Sequence, residues 1–266
     1  MKKLFACLLV FGLSFWATAQ HKNTPVMAEA VSYKSADGAT LKGYVAVNKN
    51  IKGKRPAIVV IPEWWGCNYY ARRRAQMLAD LGYIALAADM YGDGKQGPTP
   101  QEAGALATPF YKDPKLAKTR IEAAVAFLKS YAETDVANMA CIGYCFGGTM
   151  SLNAANLGMD FKGVVSFHGG LAVVPAQAGK TKAKILVCHG AADQFISSEE
   201  LQNFRSNLDA TQTGYQFISY PDATHAFSNP DATANGLKFN IPIAYNEAAD
   251  KKSWDDMKSF LAGIFK

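Results

Sequence analysis

Six short apolar runs with no clean polar alternation are spread along this chain, and segments with helical spacing lie between most of them. The runs fall at residues 56–62 (PAIVVIP), 83–89 (YIALAAD), 138–144 (NMACIGY), 161–167 (FKGVVSF), 184–189 (KILVCH) and 215–220 (YQFISY). A strand without a polar face must be covered on both sides, and helices between such strands make parallel crossovers. These runs therefore predict an α/β fold with a doubly wound, mostly parallel sheet. Helices are predicted where Ala71, Ala75, Leu78 and Ala79 recur before Gly82, and where Asp113-Pro114 precedes Ala117, Ile121, Ala124, Val125 and Leu128. Ser197 with Glu200 has capping-box spacing ahead of Leu201, Phe204 and Leu208, and Trp254, Met257, Leu261 and Ile264 mark a closing helix. Residues 28–34 and 40–48 alternate instead, which suits an antiparallel edge hairpin around Asp37-Gly38.

With 49% hydrophobic and 19% charged residues, the chain is too apolar to stay disordered. A formal charge of +6 without long basic runs gives no support to nucleic-acid binding. Residues 1–19 read as a signal peptide: Lys2 and Lys3 head an apolar run from Leu4 to Trp16, and Ala17-Thr18-Ala19 offers a cleavage site before Gln20. The expectation is export to the periplasm or medium, with residues 20–266 as one domain. No later stretch is apolar over about 18 residues, so no stable membrane insertion is expected once the leader is removed.

Gly143-Tyr144-Cys145-Phe146-Gly147-Gly148 follows an apolar strand and opens a helical segment. This is the Gly-x-nucleophile-x-Gly elbow with Cys as the nucleophile. Small residues two before and two after let strand and helix approach, and the helix aims its first amides at the sulfur and at a developing oxyanion. A thiol nucleophile needs a base, and the base an orienting acid. His168 and His189 end strands and read as structural imidazoles, whereas His225 lies in a loop after the last strand. The acid should precede that histidine on a loop after a strand, as Asp193 does; Asp222 reads as a turn former, and Asp160 and Asp209 lie away from strand ends. Cys145, Asp193 and His225 then share the carboxyl edge of the sheet, where open α/β sheets place their sites. Glu63, at the end of another strand, is either a buried proton acceptor or a loop carboxylate paired with Arg72, Arg73 or Arg74, which otherwise form a solvated helix face.

Together with Pro62-Glu63-Trp64-Trp65-Gly66, His189-Gly190-Ala191-Ala192-Asp193 and Thr224-His225-Ala226-Phe227, the elbow resembles the dienelactone hydrolase family, an α/β-hydrolase branch with a Cys-His-Asp triad. The resemblance runs from about Met27 to the C-terminus. It implies the α/β-hydrolase fold, a contact between Glu63 and Cys145 that helps form the thiolate, and an oxyanion hole of the Trp64 and Phe146 backbone N–H groups. It implies no metal and no organic cofactor.

The chain departs from that family where two arginines would hold a substrate carboxylate: Asp93 stands at one position and Asn229 at the other. An acid in place of a base repels a carboxylate, so a neutral ester, lactone or thioester is the expected substrate. Trp64, Trp65, Tyr69, Tyr91, Phe146 and Phe227 are candidates to wall an apolar pocket, with Asn229 beside them. Cys141 and Cys188 fall inside strands as core residues, while Cys67 lies in the loop after Glu63. The leading expectation is a monomeric hydrolase acting through a cysteine acyl-enzyme. Two alternatives are a non-catalytic ligand- or partner-binding protein on the same scaffold, and a thiol-redox sensor using Cys145 and Cys67.

Overall fold

The computed structural model describes residues 25–265; the leader expected at residues 1–19 lies outside them. The first two strands, β1 (Val26–Lys34) and β2 (Thr40–Asn48), form the expected antiparallel hairpin. They are followed by β3 (Arg55–Ile61), α1 (Tyr69–Asp80), β4 (Ile84–Ala87), α2 (Pro100–Lys112) and α3 (Pro114–Lys129). Then come β5 (Thr134–Tyr144), α4 (Phe146–Asn156), β6 (Gly163–Phe167), β7 (Lys184–Gly190), α5 (Ser198–Ala210), β8 (Tyr215–Tyr220), α6 (Ala232–Phe239) and α7 (Glu247–Ile264). All eight strands join one sheet in the order β1-β2-β4-β3-β5-β6-β7-β8, parallel from β4 through β8. The expected doubly wound, mostly parallel architecture is therefore present, with the hairpin on one edge.

Period-two side-chain alternation explains why the central strands need to be apolar throughout. In β3, Ala57, Val59 and Ile61 point to one face, into the core shared with α3 and α4, while Ile58 and Val60 point to the other, into the core shared with α1. Each of these five is fully buried.

Local capping follows the sequence in most places. Asp113 caps α3 through its side chain, with Pro114 at the first helical position. Ser197 caps α5 by accepting from Glu200 N–H, but the Glu200 carboxylate does not complete the box. It turns away to accept from Leu171 N–H and Ala172 N–H at 2.7 and 2.8 Å.

Two helices were not anticipated. In α2, Gly104 and Pro109 blur the periodicity; the readable signal was its start, where Thr99 and Glu102 cap each other and Pro100 opens the helix. The short α6 ends at Asn240 in the left-handed conformation and sends the chain back along the site.

The arginines of α1 do not form a uniformly solvated face. Arg73 is exposed, but Arg74 is buried, ion-paired with Asp250 of α7 and stacked over Tyr70, Tyr144 and Trp254. Its guanidinium also donates to the Ser228 carbonyl at 2.7 Å. Helical spacing cannot show that α7 returns across this face with an acid to receive it.

Candidate active site

The carboxyl ends of β3, β5, β6, β7 and β8 deliver Glu63, Cys145, His168, Asp193 and His225 to one edge of the sheet. Cys145 lies between β5 and α4 with φ 53° and ψ −117°, a left-handed backbone that an L-residue adopts only under constraint. The constraint is close approach. A Cβ on Gly143 would lie 1.8 Å from the Gly147 carbonyl oxygen, and one on Gly147 would lie 2.2 Å from the Ile61 carbonyl oxygen. Only hydrogen fits at either glycine, which accounts for the elbow's spacing.

His225 Nε2 is 3.0 Å from Cys145 Sγ, and its Nδ1 is 2.8 Å from Asp193 Oδ2. Asp193 is held in turn, since its other carboxylate oxygen accepts from Phe195 N–H at 2.9 Å. Burial opposes protonation of His225, but the Cys145 sulfur and the Asp193 carboxylate outweigh it and raise the imidazole to about 10. The His225 loop is itself pinned by a bridge to Ile243 and by Ala244 N–H donating to Thr224 Oγ1 at 2.9 Å.

Glu63 is 2% exposed and accepts from Asn229 Nδ2 at 2.6 Å. Burial pushes its carboxyl up to about 7, against the lowering influence of Asn229 and His225. The ion pair with Arg72, Arg73 or Arg74 does not form. Nor does Glu63 hydrogen-bond Cys145 among the described residues, although both line the same cavity. The Trp64 and Phe146 N–H groups donate to no other group among the described residues, which leaves both available to a ligand.

That cavity, about 270 Å³, is lined by Trp64, Trp65, Tyr111, Phe195, Ile241 and Ile243 around Cys145 and His225. Of the seven expected wall residues, Trp64 and Trp65 line the cavity and five lie elsewhere. Phe227 is fully buried beneath the site, packed on His168 and Tyr220. Tyr91 stands behind the wall, donating to the Trp64 carbonyl at 2.8 Å and packing on Phe146 and Phe110. Asn229 points at Glu63 rather than into the cavity. Tyr69 and Phe146, expected there on the same grounds, are respectively exposed and buried, and neither lines the cavity. The residues that sequence reading missed come from the unanticipated helix α2, which supplies Tyr111, and from connections: Phe195 and Ile196 from the loop after β7, Ile241 and Ile243 from the loop after α6.

His168 is structural in an unexpected way. Fully buried and held well below its usual pKa by burial, it is neutral; its Nδ1 accepts from Cys145 N–H at 3.1 Å, so Nε2 carries the proton to Ser228 Oγ at 2.7 Å. It ties the elbow to the loop that carries His225. Cys67 lies apart from the cavity, its thiol against the Ala87 carbonyl and pushed by burial up to about 11. No group of three or more His, Cys, Asp or Glu side chains among the described residues is arranged to hold a metal ion.

Comparison with known proteins agrees with this geometry. The crystal structure of a dienelactone hydrolase-like promiscuous phosphotriesterase from metagenomic libraries superposes with a TM-score of 0.84 at 32% identity, covering 91% of this chain and 99% of that one. The structure named m3DLH superposes at 0.85 with 31% identity, over 91% and 100% of the two chains. Protein usf of Aquifex pyrophilus is 27% identical over 206 residues, which is 75% of this chain and 87% of that protein. The dienelactone hydrolase family model matches residues 41–265. The chain thus belongs to the dienelactone hydrolase family and is a hydrolase of ester or lactone bonds.

Proposed function

We propose that the protein hydrolyses small neutral esters or lactones through a thioester intermediate on Cys145. The observation that carries this reading is the unbroken line from Cys145 Sγ through His225 to Asp193, at 3.0 and 2.8 Å, at the floor of an apolar cavity. With its pKa raised to about 10, His225 is a strong enough base to take the proton of the adjacent Cys145 thiol as the sulfur attacks. The thiolate attacks the carbonyl carbon, and the Trp64 and Phe146 amides receive the negative oxygen. Collapse expels the alkoxide, which takes the proton from His225 Nε2. Water then gives a proton back to His225 as its oxygen attacks the thioester, and the thiolate leaves. In a lactone the alcohol stays tethered to the acid. Asp193 holds the imidazole in the tautomer that places Nε2 toward sulfur.

Substrate neutrality rests on Asp93 and Asn229 at the two positions where the family resemblance implies arginine, and on a cavity lined, among the described residues, by no Lys or Arg. No metal or cofactor enters any step. Export with cleavage before Gln20, and a monomeric state, belong to the same proposal; the N-terminal mass of protein from the culture's exported fraction and light scattering test them.

The deciding experiment is hydrolysis of p-nitrophenyl acetate and a small lactone by the wild type and by Cys145→Ala. Loss of turnover, with an acetyl group trapped on the Cys145 peptide of the wild type, is the expected result. Retention of most activity by the variant would reject the reading.

A further inference from the structure

Glu200 is a carboxylate in the wall of the cavity that holds Cys145 and His225. Its place in the first turn of α5 suggests a simple cap, yet the side chain faces the other way. Oε1 takes both the Leu171 and Ala172 N–H groups, while no hydrogen bond reaches Oε2 among the described residues. Two amides anchored on one oxygen hold the carboxylate group in a set place and leave its other oxygen for a visitor. Glu200 also borders a second groove beside the first, lined by Ser197, Glu199, Asn203 and Asn207 among others.

The charges around the cavity are one-sided. Among the described residues, its lining includes Glu63 and Glu200 but no Lys or Arg, and the adjoining groove adds Glu199 with no Lys or Arg either. Among the described residues, the only basic group at the cavity is the His225 imidazole, which is already engaged by Cys145 and Asp193. Glu63 is engaged by Asn229 and raised to about 7, so near neutrality it carries only part of a charge. Glu200 is therefore the negative group left free to act on whatever an ester carries beyond its scissile bond. In a cavity with low-polarity aromatic walls, such a charge acts with less screening than at an open surface.

We infer that Glu200 sets the charge selectivity of this hydrolase. It disfavours acyl or alcohol groups that bear a carboxylate near the scissile bond and favours those that bear an ammonium there. The turnover arm of the test rests on the proposed hydrolysis at Cys145; a second arm does not.

In the first arm, kcat/KM is measured for three acetyl thioesters of similar size: acetylthiocholine (cationic), S-(3,3-dimethylbutyl) thioacetate (neutral) and S-acetyl-3-mercaptopropionate (anionic). In the wild type the order is cationic, neutral, anionic. Glu200→Gln raises the anionic-to-neutral ratio and lowers the cationic-to-neutral ratio, each by about 5-fold at low ionic strength, and added salt narrows the difference. In the second arm, Cys145, the one described cysteine that is not buried, is alkylated with iodoacetate and iodoacetamide. This reaction needs no catalysis, and Glu200→Gln raises the iodoacetate-to-iodoacetamide rate ratio by a similar factor. Unchanged ratios in the alkylation arm overturn the inference whatever the enzyme hydrolyses. A uniform loss across all three thioesters also overturns it, because Glu200 then serves only to hold the loop at Leu171. Failure of the wild type to turn over any thioester, with the alkylation ratio shifted as expected, counts against the proposed reaction and leaves the charge selectivity standing.

Discussion

Glu63→Gln should make the protein more stable, and increasingly so as the pH rises. The carboxyl is 2% exposed and raised from 4.5 to about 7, chiefly by burial. The folded protein therefore holds that proton more tightly than the unfolded chain does. This stabilising proton is fully present below about pH 4.5 and is lost as pH climbs through 7. Burying the ionised form costs under about 1 kcal/mol at pH 5 and about 3 kcal/mol at pH 8.5. Glutamine has nearly the same shape, keeps an oxygen to accept from Asn229 Nδ2 and does not titrate, so the variant escapes that cost. For a chain of this size the gain at pH 8.5 corresponds to a rise in Tm of roughly 6–12 °C, shrinking to about 3 °C or less at pH 5. Thermal melts of both proteins across this pH range check it. A stability difference that does not vary with pH, or a variant less stable than wild type at pH 8.5, would refute the claim that Glu63 is buried with a raised pKa.

Three further outcomes follow from the geometry. Asp193→Asn should lower kcat/KM on the order of 10³–10⁴-fold, because the amide leaves His225 free to take the wrong tautomer; urea melts should show a folded protein, and a loss under 10-fold would contradict the role given to Asp193. Gly147→Ala should cost at least about 3 kcal/mol in urea unfolding or prevent soluble expression, since the new Cβ would meet the Ile61 carbonyl 2.2 Å away; wild-type stability would mean the elbow is looser than described. Arg74→Met should cost about 3 kcal/mol or more by leaving the Asp250 carboxylate unpaired, with Arg74→Met/Asp250→Leu recovering part of the loss; no recovery in the double variant would show that the stacking on Tyr70, Tyr144 and Trp254 matters more than the ion pair.

Residues that act through local chain geometry were legible in advance. Strand runs 184–189 and 161–167 lie within two residues of the observed strands, because a strand buried on both faces has nowhere to place polar side chains; the edge run 215–220 matches β8 although most of it is only partly buried. Asp113-Pro114 and Ser197 start helices by hydrogen bonds that span only two or three residues. Helix α2 escaped notice because Gly104 and Pro109 interrupt its apolar stripe, and with it went Tyr111 of the cavity wall.

The pocket was the harder part. Phe227 and Tyr91 are aromatic and close to strand ends, as Trp64 and Phe195 are, and no local pattern separates a ring that faces the cavity from one that packs behind it. Which way each ring turns depends on the loops after α6 and β7, where Ile243 bridges to His225 and Phe195 meets the same imidazole edge-on, ring centroids 5.0 Å apart. Arg74 and Glu200 show the same limit for charged groups, since the partners that receive them lie on segments distant in the chain.

Sequence alone determined the layered sheet, the bend at Cys145 and the chain order of sulfur, acid and imidazole, since each depends on patterning within a few residues or on which loops leave the same edge of a parallel sheet. Tertiary structure alone decided that Glu63 faces Asn229 instead of an arginine, that His168 braces the bend, and that Glu200 turns from its helix toward the cavity. Those outcomes depend on side chains that meet partners from 23 to 166 residues away, backbone amides among them, and such meetings are set by packing rather than by any period along the chain.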